Sequence, residues 1–311
     1  MPFASGDNAR IRTNIPAQNA YNSLNSANKD ISLRQLRLST GKRINNAADD
    51  VAGYITSRAL TQRNGSLKAA LKTVGDAFNI TNVLMDALDN INELMTKIKD
   101  STATAASGAM GTDEKVALAK AASQLVEQVQ TVADSTVFGG RQLLNGDFNA
   151  QFVIGFDADN DLITLNVDMR ENNTELDVES GNFNVNANEI QNFAGITGLD
   201  MNAFDAVDDQ NLGIFADDAI GTTMTSLADA MQNINKVASY LGGLSNRLNS
   251  QEVLLNNQIV NYNAAISRLE DADVAKEQLE LIKSQFLQQA SLVSLAQSNQ
   301  NPQTFLQLIR G

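Results

Sequence analysis

The sequence predicts a mainly α fold: long antiparallel coiled-coil helices formed by both termini, with a β-hairpin and a small mixed insert between them. Three observations carry this. Apolar residues step by four and three over long stretches on both sides of the middle, only three of the 311 residues are Pro, and the centre switches to strand-like runs followed by acidic, Asn-rich chain. A sustained heptad marks a helix seam, and scarce proline leaves such helices unbroken.

The first element is an amphipathic helix, with Ala17, Ala20, Tyr21, Leu24, Ala27, Ile31 and Leu38 at helical spacing. A longer one follows, in which Leu67, Leu71, Val74, Phe78, Thr81, Met85, Leu88, Asn92 and Met95 step 4, 3. Ser107, Gly108 and Gly111 supply a turn. A third helix is expected from Asp113 to about Ala133, with Val116, Ala119, Ala122, Val126, Val129 and Ala133 as its stripe. Thr112 offers a hydroxyl cap, and Asp113 and Glu114 suit the positive end of the helix dipole.

Residues 151–156 and 162–167 then read as two strands of a hairpin joined by Asp157-Ala158-Asp159-Asn160-Asp161. The D-x-D-x-D spacing resembles a calcium loop, but Leu162 stands where that loop needs Gly and Leu165 occupies a ligand position, so a structural turn is expected. Residues 171–221 are acidic and weakly patterned, and read as a small exposed mixed insert. Beyond it, Leu227, Met231, Ile234, Ala238, Leu241, Ser245, Leu248, Glu252, Leu255, Ile259, Tyr262, Ile266 and Leu269 step 4, 3 without a slip. Such a helix runs roughly 65 Å. Gly75, Gly242 and Gly243 within these patterns suit close helix packing. At the C-terminus, Leu279, Ile282, Phe286, Ala290 and Val293 form a further stripe, expected to pair with the first helix.

Composition excludes several function classes. The chain has no Cys, His or Trp, which removes disulfides, thiolate and imidazole metal sites and Ser-His-Asp chemistry, so no enzyme, cofactor or metal is expected. The net charge of -13 is concentrated: residues 142–221 carry 16 acids and one cation, Arg170, while the remainder carries 20 acids and 22 bases. That distribution suits no nucleic acid, which needs clustered Lys and Arg. No run of 18 apolar residues offers a membrane span, and residues 1–20 lack the apolar core of a cleavable signal peptide.

The string LSTGKRINNAADDVAG, Leu38 to Gly53, resembles the signature of bacterial flagellins. The far end agrees: Leu241-Gly242-Gly243-Leu244 with Asn246-Arg247-Leu248, then Ser267 to Asp273, Leu287-Gln288-Gln289-Ala290, Leu295-Ala296-Gln297, and Pro302 with Leu306 and Leu308. Matches cover roughly residues 11–145 and 222–311. A related group, the hook-filament junction proteins, tends to carry Pro in this motif. Ala47-Ala48-Asp49-Asp50 favours a filament subunit, and an unrelated coiled-coil scaffold would not explain the terminal motifs.

The resemblance implies a subunit that polymerises with itself into the flagellar filament, a rotating propeller for swimming. It implies extracellular placement, export by the flagellar apparatus with a chaperone and no cleavable signal peptide, and filament cap and hook-filament junction proteins as neighbours. Residues 11–45 with 270–311 would form the inner core, 46–170 with 222–269 the surrounding helical tube including hairpin 151–167, and 171–221 an acidic outer surface. Residues 1–10 would be an extra leader. The expected assembly and packing residues are Leu24, Ile31, Leu38, Leu241, Leu248, Leu269, Phe286, Leu287, Leu295, Leu306 and Leu308, with Arg43, Asp49 and Asp50 fixing a junction between inner and outer segments. Family members sensed by the innate Toll-like receptor carry a Leu-Gln-Arg-Val-Arg-Glu-Leu stretch. Here Lys97, Lys99 and Ser101 replace its two Arg and last Leu, and Ala121 falls where a carboxylate is expected, so a weakened receptor contact is implied.

Overall fold

A computed structural model of the chain describes residues 13–156, 162–170, 173–176, 178, 183–187 and 192–310, with the backbone alone at 156, 174 and 301–310. The leader 1–10 and the Asp-rich loop 157–161 lie outside the described residues. Two compact units form, one from residues up to Asn64 with those from Val260 onward, the other from Gly65–Ile259.

In the first unit, α1 (Ile15–Thr40) starts where Asn14 Oδ1 accepts the Ala17 N–H and ends at Gly41, whose φ of 69° is the left-handed stop that favours glycine. It pairs with α5 (Val274–Arg310). The pairing is antiparallel, since Asn14 Nδ2 donates to Ser298 O, Gln288 Nε2 to Asn28 Oδ1, and Arg34 to Glu277. On α1 the covered positions are Ala17, Ala20, Leu24, Ala27, Ile31, Arg34 and Leu38, a regular 3, 4 stepping. Tyr21, assigned by spacing to the stripe, faces solvent.

The face that α5 turns to α1 differs from the expected one. Glu277, Leu281, Ser284, Gln288, Ser291, Leu295 and Ser298 are the covered positions, again stepping 4, 3. Most are polar. The apolar stripe is on the outside, with Phe286 and Val293 each 67% exposed and Leu279, Ile282 and Leu287 also open. Polar residues are tolerated inside because they find partners: Ser284 Oγ donates to Glu280 O, Gln288 Nε2 donates to Asn28 Oδ1, and Glu277 accepts from Arg34 and Arg37.

In the second unit, α2 (Val51–Ala105), α3 (Thr112–Ser135) and α4 (Ile220–Glu270) contribute buried stripes. α2 and α4 also supply the first unit with their opposite ends. Alternate expected seam residues are buried, namely Leu67, Val74, Thr81, Leu88 and Met95 on α2 and Leu227, Ile234, Leu241, Leu248 and Leu255 on α4. The intervening position lies one residue earlier than expected. Ala70, Ala77, Leu84, Ile91, Ala230, Val237 and Leu244 are buried, and Leu71, Phe78, Met85, Met231 and Ala238 are only half covered at the flank. The shift puts Leu244 in place of Ser245, and half-buried Gln251, which donates to Ile154 O at 2.6 Å, in place of exposed Glu252.

α3 begins one residue earlier than the hydroxyl-cap reading. Gly111 is the cap, and the Glu114 carboxylate reaches back to its N–H at 2.6 Å. After α3, β1 (Val137–Phe138) and β2 (Arg141–Gln142) form a two-residue ribbon turned by Gly139 and Gly140, both at positive φ. β3 (Asn149–Phe156) and β4 (Leu162–Asp168) form the expected hairpin, antiparallel with a bulge between Val153 and Gly155. The bulge breaks the ladder beside Ile154, the residue whose carbonyl accepts from Gln251.

The described residues of 171–221 hold four short 3-10 turns and no strand. Weak patterning does not mean an absent core. Phe183, Phe193, Phe204 and Phe215 are fully buried, and Phe204 and Phe215 meet edge to face at 5.7 Å. Side chains from the helices satisfy its backbone: Asn233 Nδ2 donates to Ala194 O, and Gln130 Oε1 accepts from Ala187 N. Buried Lys115 of α3 pairs with Asp217.

The phase of the α4 seam is testable by substitution. Leu244→Ala should destabilise the second unit by about 2–5 kcal/mol, while Ser245→Ala stays within about 0.5 kcal/mol, both read as urea midpoints. Equal shifts would return the seam to the expected register.

Candidate functional site

The first unit contains two breaks in otherwise long helices, and they lie side by side. Between α1 and α2 the chain runs through Gly41 to Asp50; between α4 and α5 it runs through Asp271-Ala272-Asp273. Arg43 N donates to Glu270 O at 2.6 Å and Ala272 N to Gly41 O at 2.9 Å, an antiparallel bridge of two backbone bonds. Each break restarts its helix with an aspartate. Asp50 Oδ1 accepts the Gly53 N–H at 2.9 Å, and Asp273 Oδ1 accepts that of Lys276 at 3.1 Å.

Charged side chains tie the bridge further. Lys42 Nζ donates to Glu270 Oε2 at 2.7 Å, and this bond, with that of Ser57, outweighs burial and holds the Glu270 carboxyl below its ordinary value. Arg43 Nη2 donates to Leu269 O at 2.8 Å and sits 3.7 Å from Asp50 Oδ2. Asp49 Oδ2 accepts the backbone N–H of Asn46 and Asn45, which lowers its pKa. Gly53 is required by space: a Cβ there would stand 2.5 Å from Asp50 Oδ2 and 2.7 Å from Ile44 Cδ1.

One helical turn into the α1 and α5 pair, Arg34 and Arg37 both bond Glu277, at 2.7 and 3.3 Å. Burial pushes Glu277 up, but the Arg34 bond and the two guanidinium charges overcome it and leave the carboxyl below its ordinary range.

The expected junction residues Arg43, Asp49 and Asp50 thus meet at one break. Leu24, Ile31, Leu38 and Leu295 lie half-buried in the α1 and α5 seam, and Leu269 is half-buried at the end of α4. Leu241 and Leu248 are core of the second unit. Phe286 and Leu287 are exposed, and Leu306 and Leu308 lie in α5 within the stretch described by backbone alone. Lys97 and Ala121 are exposed on α2 and α3, with Lys99 and Ser101 half-buried. Glu270, Glu277 and Lys42 were missed as site residues, although Glu277 falls on the α5 heptad phase that also carries Ser284 and Ser291.

Two chain ends that fold as one helical pair, pinned at matched breaks and carrying an uncovered apolar stripe, define a class of self-associating helical subunits. Residues 11–149 match the family model described as the bacterial flagellin N-terminal helical region, and residues 224–309 the bacterial flagellin C-terminal helical region. The chain belongs to the bacterial flagellin family. It is 29% identical to a flagellin of Halalkalibacterium halodurans, over 96% of this chain and 99% of that one. Against a Bacillus subtilis flagellin it is 28% identical, over 97% and 100%. A solved Vibrio parahaemolyticus structure described as a flagellar hook-associated protein shares the fold at a TM-score of 0.54 and 13% identity, covering 72% of this chain and 100% of that one.

Glu270 and Glu277 give the terminal pair an acid limit. A carboxyl whose folded pKa is depressed contributes stability that is complete above its ordinary 4.5 and lost as pH falls through the folded value. Lowering the pH from about 6 to about 3 should separate labels placed on α1 and α5. A Glu270→Gln, Glu277→Gln chain should be weaker at pH 6 and flatter in its pH profile; an unchanged profile would reject the assignment.

Proposed function

We infer that the protein is the structural subunit of a bacterial flagellar filament, an extracellular homopolymer turned for swimming. The observation that carries this is the apolar stripe of α5, which the chain's own fold leaves open. A two-helix pair can cover one face of each helix. α5 spends that cover on Glu277, Ser284 and Ser291 and presents Leu279, Ile282, Phe286 and Val293 outward. Contiguous exposed apolar surface of this kind marks an interaction site, and self-assembly offers every copy the same cover.

In this reading α1 and α5 form the inner core of the filament, the tube wall is built from residues 46–170 and 222–269, and the acidic insert 171–221 faces outward. Like-charged outer surfaces keep neighbouring filaments apart. The junction of Arg43, Asp49 and Asp50 sets the bend between inner and outer segments. Export without a cleavable signal peptide, with a chaperone, and contact with cap and hook-filament junction proteins follow from the same reading. A chain free of Cys and with three Pro suits passage in an unfolded state, having no disulfide traps and few slow isomerising bonds.

Phe286→Asp with Val293→Asp separates assembly from folding. Both side chains are exposed, so the variant should keep its helical content and its α1 and α5 pairing while forming no filaments by sedimentation and electron microscopy. Normal filaments would refute the assembly face. For the receptor, Lys97, Lys99, Ser101 and Ala121 should give a weak reporter-cell response; one as strong as that of a flagellin carrying the Arg-containing stretch would refute it.

A further inference from the structure

Two Asn-Gly pairs occur in the sequence, Asn64-Gly65 and Asn145-Gly146. An asparagine followed by glycine is the dipeptide best suited to spontaneous deamidation, because the next backbone nitrogen must reach the side-chain carbonyl carbon and glycine offers least obstruction. The fold treats the two pairs in opposite ways. Asn64 is 5% exposed in the interior of α2, and its Nδ2 donates to Asn263 Oδ1 at 2.6 Å. Gly65 follows it inside the same helix, where the backbone nitrogen is committed to the helical ladder.

Asn145 is exposed on the bend between β2 and β3. Gly146, at φ 82°, donates no hydrogen bond from its amide among the described residues. The Asn145 side-chain oxygen already accepts the Asp147 N–H at 3.2 Å, which polarises the carbonyl that would be attacked. Among the described residues the Gly146 nitrogen, although buried, is committed to no hydrogen bond, and the Asn145 side chain it would attack is exposed.

We propose that Asn145 is a site of non-enzymatic deamidation built into this loop. Gly146 N attacks Asn145 Cγ, the bond from Cγ to Nδ2 breaks, and ammonia leaves with the amide proton, closing a succinimide ring. Water then opens either ring carbonyl to give aspartate or isoaspartate. Overall, water is consumed and ammonia released, with no oxidant or enzyme.

The consequence reaches the acidic insert. Asn145 O accepts from Asn184 Nδ2 at 3.3 Å, and the loop is anchored on each side by buried Leu144 and Phe148. Isoaspartate adds one carbon to the backbone between those anchors and turns the carbonyl that Asn184 contacts into a pendant carboxylate. Either product places a new carboxylate two residues from Asp147. Copies of the chain that age outside the cell therefore accumulate charge and a loosened tie between this loop and the insert.

The test is incubation of the full-length protein at mildly alkaline pH, with peptide mass mapping over time. The Asn145 peptide should gain the mass of an NH-to-O exchange, label with an isoaspartyl methyltransferase, and convert more than about tenfold faster than the Asn64 peptide, since α2 must first open locally. Asn145→Gln should abolish the signal at that peptide without slowing conversion elsewhere. Aged protein should also lose protease resistance in residues 171–221. An unmodified Asn145 peptide, or equal conversion at Asn64, would overturn the proposal.

Discussion

The first unit depends on two backbone hydrogen bonds between parts of the chain more than two hundred residues apart. Arg43 N to Glu270 O and Ala272 N to Gly41 O set which residue of α1 stands opposite which residue of α5. Once that bridge is closed, Arg34 meets Glu277, Asn28 meets Gln288 and Asn14 meets Ser298 without further choice. Closing so large a loop costs only about 0.6 kcal/mol more per doubling of length. The α2 and α4 seams supply the stability that offsets it. Within the first unit Asn64 pairs with Asn263, and within the second Asn92 pairs with Asn235.

Much of this was legible in the residues. Long helices, the hairpin and the third helix all follow from period, and Leu67, Val74, Leu88, Leu241 and Leu248 fall where the heptad puts them. The other half of each seam was misplaced for a physical reason. Weighting positions by hydrophobic bulk selects Leu71, Phe78 and Met231, whereas closely approaching helices admit Ala70, Ala77 and Ala230 at the centre and leave bulk at the flank. The Gly139-Gly140 pair between Phe138 and Arg141 was a readable hairpin signal. The insert was not readable, because Phe193, Phe204 and Phe215 sit in 3-10 turns, and Phe183 in irregular chain, which impose no period.

The orientation of α5 is a different kind of limit. Its apolar stripe is visible from spacing alone, but which way a stripe faces depends on what surrounds it, and a single chain contains only α1. Periodicity therefore reports that Phe286 and Val293 need cover, without saying whose. The junction was readable in part: Arg43, Asp49 and Asp50 stand in a motif, while Lys42, Glu270 and Glu277 become partners only through the antiparallel register.

The inverted amphipathicity of α5 also explains why its own side of the seam inside the terminal pair is mostly polar. Had the apolar stripe packed on α1, the isolated pair would gain its hydrophobic stabilisation within one chain and present serine and glutamine to its neighbours, leaving little drive for association. Placing Glu277, Ser284 and Gln288 inward adds hydrogen bonds and ion pairs, each worth little beside apolar burial, to the modest apolar cover of Ala20, Leu24, Ala27, Ile31, Leu281 and Leu295. Most of the burial then becomes available only when copies meet. With the proposed assembly, stability of the ends is thereby linked to protomer concentration by mass action.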